Sequence, residues 1–351
     1  MRNVMISKRV IGQGNPCFVI AEIGTNHNRD IQTARKLIDA AAAAGVDAIK
    51  FQFYHGEDVV TPLATCKEYG LHKIYPGLRR MVDVYNERLR TPREWFPELS
   101  DHVKKGGMIP ISTPHCVDCA RFMVSLGMPA FKVASVEITH LPFLKALATF
   151  RMPIILSTGL SILREIGEAV RVIRRAGNSR LILLHCVSDY PTRLEDVNLK
   201  FINTLRRHYN TPVGFSDHTM GISASLAAVA LGANVIERHI TLDRTQSGPD
   251  HPFALEPQML IDLVRGIRDI HKAMGKGIKL LTPSEREKRK RYLRSVVASR
   301  PISKGQTIGL TDLDLKRPGT GLPPKMLNAI VGRRARRDIK QYDLIRSDVL
   351  G

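Results

Sequence analysis

Pro212-Val213-Gly214-Phe215-Ser216-Asp217-His218-Thr219 and Ala233-Asn234-Val235-Ile236-Glu237-Arg238-His239 decide how the rest of the chain is read. Each is a short apolar run that turns polar at its C-terminal end and carries a histidine there. Between them, Gly221 to Gly232 is small, rich in Ala and Leu, and predicted helical. The unit is strand–helix–strand, and in a parallel barrel the C-terminal strand ends are where chemistry collects. Neighbouring strands lie under about 5 Å apart, so two imidazoles at adjacent strand mouths can share one metal ion. A histidine at a strand end serves equally as a hydrogen-bonded structural residue, and the pair alone does not choose.

Working outward, the same beat recurs. Val4 to Gly14 reads as a hairpin turning at Ser7-Lys8. Six further apolar runs precede the two histidine strands: 18–23, 47–52, 108–113, 130–135, 153–159 and 181–186. Helical patterns follow each, the clearest being Ile31 to Ala44, stopped by Gly45. Thr91-Pro92-Arg93-Glu94 predicts a helix start, with Thr91 as cap, ending near Gly106-Gly107. Glu256 to Met274 supplies the last barrel helix. Eight near-continuous apolar strands alternating with helices predict a closed parallel (β/α)8 barrel of the α/β class. The excursion from Tyr54 to Arg90 is too polar for the barrel core, and loops of that length are usually lids or binding loops. We divide the chain into a barrel at 1–280 with its hairpin at 1–16, a charged helical linker at 281–294, and a small β-rich module at 295–351. In the last, Ser295–Ser299, Gln306–Ile308 and Leu313–Leu315 read as short strands.

At 351 residues the chain has room for one domain of roughly 250 residues and a small companion. No apolar run approaches the ~20 residues of a membrane helix, and Met1 to Ile6 opens without a signal-peptide pattern, so a cytoplasmic protein without a membrane partner is expected. Five cysteines, sparse and odd in number, fit a reducing compartment rather than a disulfide framework. Cys116 and Cys119 form a C-x-x-C after His115; with only Cys66 and His72 as candidate further ligands for zinc, they are read as residues of a helix's first turn. The formal charge is +20, and residues 281–351 hold 17 Lys+Arg against 7 Asp+Glu, half of that excess. Aromatic residues do not interleave with the basic runs, so nucleic acid is not the expected partner; an anionic substrate or a solvated basic face accounts for the charge.

The polar residues at strand ends are Glu22, Lys50, Gln52, Thr113, Lys132, Ser135, Ser157, Ser188, Ser216, His218 and His239. All strands run the same way, so these fall at one rim. Two lysines and several hydroxyls there make a site for a strongly anionic group such as phosphate.

Ala21-Glu22-Ile23-Gly24-x-Asn26-His27, Lys50-x-Gln52, Ser112-Thr113-Pro114, Leu156-Ser157-Thr158-Gly159, His185-Cys186, Tyr190-Pro191, Ser216-Asp217-His218-Thr219, Glu237-Arg238-His239 and Gly248-Pro249-Asp250-His251 together resemble the N-acetylneuraminate (sialic acid) synthase family. Lys316-Arg317-Pro318-Gly319-Thr320-Gly321 resembles that family's antifreeze-like, or SAF, domain. The resemblance implies metal-dependent condensation of phosphoenolpyruvate with an N-acylated hexosamine, giving a nonulosonic acid and phosphate. It implies a divalent ion (Mn²⁺, Mg²⁺ or Co²⁺) on His218 and His239. Lys50, Thr113, Lys132, Ser135, Ser157, Ser188 and Ser216 would hold phosphoenolpyruvate. Gln52, Tyr190 and Asp250 would contact the sugar, Glu22 would orient it or handle a proton, and Glu137 would lie near water and substrate. Arg317 would enter the barrel of the partner subunit, implying a domain-swapped homodimer.

The chain departs from the family pattern at Lys132-Val133-Ala134-Ser135-Val136-Glu137, after Ser188 with Asp189 and Arg193, and through the loop from His55 to Arg90. Those departures leave open which amino sugar is the acceptor and whether it is phosphorylated. Two other readings are kept: a Schiff-base aldolase using Lys132, and a non-catalytic protein whose basic module binds polyanions or glycan.

Overall fold

The computed structural model describes residues 3–351, which form two compact units divided between Gly275 and Lys276. The first opens with the antiparallel hairpin β1 (Val4–Ile6) and β2 (Arg9–Ile11). Eight parallel strands follow: β3 (Phe18–Glu22), β4 (Ala48–Phe53), β5 (Ile109–Pro114), β6 (Phe131–Val133), β7 (Ile154–Ser157), β8 (Leu181–Cys186), β9 (Val213–Asp217) and β10 (Val235–His239). They close in chain order, with β10 returning to pair β3.

Side-chain alternation along each strand builds the barrel in two shells. The outward residues, such as Val19, Ile49, Phe51, Phe131 and Ile236, pack under the surrounding helices. The inward residues Phe18, Ile20, Ala48, Ile111, Ile155, Ile182, Leu184 and Val235 fill the barrel, and Val4, Ile6 and Ile11 of the hairpin join the same cluster. Gly214 sits where a Cβ would come within 2.4 Å of the Val235 carbonyl oxygen, so only glycine fits this inner layer. One step further along each strand the inward position becomes polar. That step is what makes a site at the C-terminal rim.

Two local expectations are corrected. Thr91 caps no helix. Its N–H donates to the Gln52 carbonyl and its hydroxyl pairs with His27, so the α-helix starts only at Phe96, after a 3₁₀ turn at Arg93–Trp95. Gln306–Ile308 is not a strand but a single bridge, Thr307 to Arg334. The loop after β4 is ordered around its own small core, in which Tyr54, Cys66, Met81 and Val84 are buried together. In the second unit β11 (Ser295–Ala298) and β12 (Leu313–Lys316) pair antiparallel over a core of Val296, Ala298, Ile302, Ile308 and Ile345. Among the described residues, no helix is long and apolar enough to cross a membrane.

Candidate active site

Strand register sets the first group of contacts. His239 of β10 lies opposite Glu22 of β3, and Glu22 lies opposite Lys50 of β4. Lys50 Nζ stands 2.6 Å from Glu22 Oε2 and donates to Thr113 Oγ1 at 3.3 Å. Gln52 Nε2 donates to the other Glu22 oxygen at 2.9 Å. Glu237 occupies the centre, with Lys132 at 3.5 Å, Lys50 at 3.9 Å and the Ser216 hydroxyl donating at 3.0 Å. Two carboxylates and two ammoniums are thus buried as one neutral network, which offsets the cost of removing each from water.

The two lysines are not equivalent. Burial opposes the charge on both, but Glu22 and Glu237 together more than offset it at Lys50, whose pKa is raised. At Lys132 burial wins over its more distant carboxylate, and Lys50 adds like-charge repulsion, so its pKa is lowered. Glu237 is held below the ordinary carboxylate range; its burial is outweighed by Lys132, Lys50 and His239.

His218 and His239 meet with ring centroids 5.5 Å apart. His218 Nδ1 lies 2.9 Å from the Val187 carbonyl, which can only accept, so Nδ1 carries the proton and Nε2 keeps its lone pair. Burial, then the neighbouring His239, lowers the His218 pKa to about 4, keeping the ring neutral. Asp250 Oδ2 stands 3.4 Å from His239 Nδ1 and accepts from Thr25 Oγ1 at 3.2 Å. Phe253 and Tyr190 wall the pair, with Tyr190 centred 4.3 Å from His218 and Phe253 5.1 Å from His239. Two imidazoles, one fixed by a carbonyl and one beside a carboxylate, are a donor set that fits a divalent ion.

Around the ends of β6 to β8 lie the hydroxyls of Ser135, Ser157 and Ser188. The Gly159 N–H donates to Ser135 Oγ at 3.0 Å, and a Cβ on Gly159 would come within 2.3 Å of Ser188 Oγ. Ser157 Oγ and Ser188 Oγ are buried and make no hydrogen bond. A buried hydroxyl left unpaired costs about 1–3 kcal/mol, so two at the ends of neighbouring strands mark a place suited to an acceptor-rich guest.

Glu137 lies in the 3₁₀ turn after β6, with Oε1 2.8 Å from His115 Nδ1. Arg317 belongs to the second unit, where it is exposed at the end of β12 with its guanidinium 5.4 Å from the centre of the Tyr292 ring. Arg193 is exposed and paired with Glu195, which makes it a solvated surface charge. Glu237, His115 and Phe253 were missed as site residues. Glu237 was readable, because it is two residues before His239 on one strand and so shares its inward face. His115 was readable as the residue after β5; nothing local announced Phe253. The third group near Cys116 and Cys119 is Asp58, not Cys66 or His72.

Comparison with known proteins matches residues 37–279 to the NeuB family and residues 294–348 to the SAF domain. The N,N'-diacetyllegionaminic acid synthase of Campylobacter jejuni is 41% identical over 94% of this chain and 98% of its own length. The enzyme of the same name from Legionella pneumophila is 38% identical, over 92% of this chain and 91% of its own. Among solved structures, the N-acetylneuraminic acid (sialic acid) synthetase of Leptospira borgpetersenii, in complex with citrate, superposes with a TM-score of 0.71. It is 35% identical and covers 82% of this chain and 95% of its own.

Proposed function

Because the chain belongs to the NeuB family and carries a SAF domain, we propose that it condenses phosphoenolpyruvate with an N-acylated amino hexose, giving a nonulosonic acid and inorganic phosphate. The observation that carries this reading is the pairing of two features at one barrel mouth. One is the cradle of unpartnered hydroxyls at Ser157 and Ser188. The other is the histidine pair beside the Glu22–Lys50 ion pair.

In this reading Lys132, Lys50, Thr113, Ser135, Ser157, Ser188 and Ser216 bind the phosphate and carboxylate of phosphoenolpyruvate. His218 and His239 hold the divalent ion, which when bound polarises the aldehyde of the acceptor. Gln52, Tyr190 and Asp250 orient the sugar, and Glu22 fixes its reacting end. C3 of phosphoenolpyruvate adds to the aldehyde carbon and water adds at C2. The water's proton passes to Glu137, held by His115. Collapse at C2 breaks the C–O bond and releases phosphate. The two relatives named above form a product with two N-acetyl groups, so a diacetamido hexose is the acceptor class proposed here. We assign the protein to the cytoplasm, the reducing compartment its five free cysteines suit.

We also propose that Arg317 completes the site of a second copy of the chain. Its support is the resemblance together with the bracing of the turn that carries it. Gly319 N–H donates to the Lys290 carbonyl at 2.8 Å and Ser295 Oγ donates to the Pro318 carbonyl at 2.7 Å. The Schiff-base reading keeps one supporting observation, the lowered pKa of Lys132.

The deciding experiment is phosphate release from phosphoenolpyruvate with a panel of amino sugars, run with ¹⁸O in the bridging C–O–P position. Label leaving with phosphate, acceptor-dependent and lost on chelation, is the expected result. Trapping of a carbonyl substrate on Lys132 by borohydride, with no phosphate release, would replace it with the aldolase.

A further inference from the structure

Cys116 and Cys119 remain outside the reaction proposed above, and their arrangement is specific. Cys116 is the N-cap of the nine-residue helix Val117–Ser125, and its sulfur accepts from the Cys119 N–H at 3.1 Å. The two sulfurs stand 2.7 Å apart, inside the contact distance of two thiols. Cys116 is partly exposed while Cys119 is 1% exposed. The outer thiol is therefore the one a reagent in solution meets, and the inner one is placed to resolve it. Both thiols are raised in pKa, chiefly by burial, and the carboxylate of Asp58, 4.0 Å from Cys119 Sγ, adds to this. Exchange at this pair therefore runs through a small thiolate fraction and quickens as pH rises.

The pair is joined to the barrel rim by one peptide bond. His115 precedes Cys116, its Nδ1 holds Glu137 at 2.8 Å, and its ring packs edge-on against Tyr54, at 5.3 Å between centroids. Tyr54 in turn belongs to the small core of the loop after β4. A change in the bonding of Cys116 is thus felt at the imidazole that positions Glu137.

We infer that Cys116 and Cys119 are a modification site: a dithiol that a small-molecule disulfide oxidises to an intrachain disulfide, with the change transmitted to His115. The Cys116 thiolate attacks the reagent's S–S bond and expels one thiolate. The Cys119 thiolate then attacks the Cys116 sulfur and expels the second. The protein loses two electrons and two protons, and one reagent disulfide becomes two thiols.

The test uses the full chain and oxidised glutathione, with peptide mapping and the ring resonances of His115. Expected are a mass loss of about 2 Da confined to the Cys116–Cys119 peptide, a shifted His115 ring, and reversal of both by dithiothreitol. Cys116→Ser keeps an N-cap oxygen and should fold, yet show neither change. Thiols that stay free would overturn the inference, as would a glutathione adduct that never resolves or a disulfide through Cys66 or Cys186. An unmoved His115 ring, or thiols that react only after a chelator strips bound zinc, would overturn it equally. None of these readouts requires turnover, so the result is independent of the proposed reaction.

Discussion

Arg238 and Asp217 are register partners on β10 and β9, and their 2.6 Å ion pair is fully buried on the outward side of the two strands that lead to the histidines. Asp217 also accepts from the Thr219 N–H and the Ser225 hydroxyl, and Arg238 donates to the Thr219 carbonyl at 2.9 Å. His239 follows Arg238 and His218 follows Asp217, so the pair fixes the spacing of the imidazoles. Arg238→Met should cost about 3–5 kcal/mol, because it strands a buried carboxylate. Adding Asp217→Asn should return part of that loss. Urea unfolding measures both; a single variant within about 1 kcal/mol of the parent would refute the clamp.

The unpartnered hydroxyls predict a split between stability and binding. Ser157→Ala and Ser188→Ala remove groups that pay for burial without a bond, so the free protein should be unchanged or slightly more stable. Each should raise KM for phosphoenolpyruvate by about tenfold, since each removes one hydrogen bond to an anion. Unchanged KM in both would take the serines out of the cradle.

His218→Ala and His239→Ala should each abolish turnover while the circular dichroism spectrum and unfolding midpoint stay near those of the parent, because each deletes one of two nitrogen donors facing the mouth. Activity that survives exhaustive chelation of the parent would reject a metal role for the pair.

His27 supplies a pH signature. It is fully buried and its neutral form is satisfied on both nitrogens: Nδ1 accepts from the Arg29 N–H at 3.0 Å, and Nε2 lies 3.2 Å from Thr91 Oγ1. Burial and the nearby Arg29 lower its pKa from 6.5 to about 4. Between those values the unfolded chain binds the proton and the folded chain does not. The His27 contribution is therefore complete above pH 6.5 and is lost as pH falls toward 4, in total about 3 kcal/mol. Denaturant unfolding from pH 7 to pH 4.5 should show a flatter profile in His27→Gln than in the parent; parallel profiles would assign the acid sensitivity elsewhere.

Legibility followed the physics of burial. A strand covered on both faces is a nearly unbroken apolar run, so β3 to β10 stood out, and parallel strands place every C-terminus at one rim. That is why Glu22, Lys50, Lys132 and His239 could be gathered without coordinates. Local signals failed where tertiary partners outbid them: Thr91 has the look of a cap, but His27 and Gln52 claim it. Residues that build the site from distant segments, such as Phe253 against both histidines and Asp58 beside Cys119, leave no local pattern to read.

Arg317 gives the last prediction. Its guanidinium lies 5.4 Å from the centre of the Tyr292 ring, on a turn tied by the Gly319–Lys290 backbone bond to the helix Pro283–Tyr292. A cation–π contact of this kind is worth only about 0.5–1 kcal/mol at an exposed site, so it can steady the arginine without preventing it from binding something better. If the arginine serves the barrel of a second copy, Arg317→Ala should lower turnover and acceptor affinity while leaving phosphoenolpyruvate binding nearly intact. Mixing Arg317→Ala with His218→Ala then becomes decisive. In a mixed dimer with exchanged arginines, the barrel of the Arg317→Ala chain keeps its histidines and receives an intact arginine from its neighbour. That site carries neither lesion, whereas the other carries both, so part of the activity should return. If each chain served its own barrel, every site would carry one lesion and no mixture would recover. Subunit exchange verified by mass, with activity still at the level of the parent variants, would remove Arg317 from the shared site.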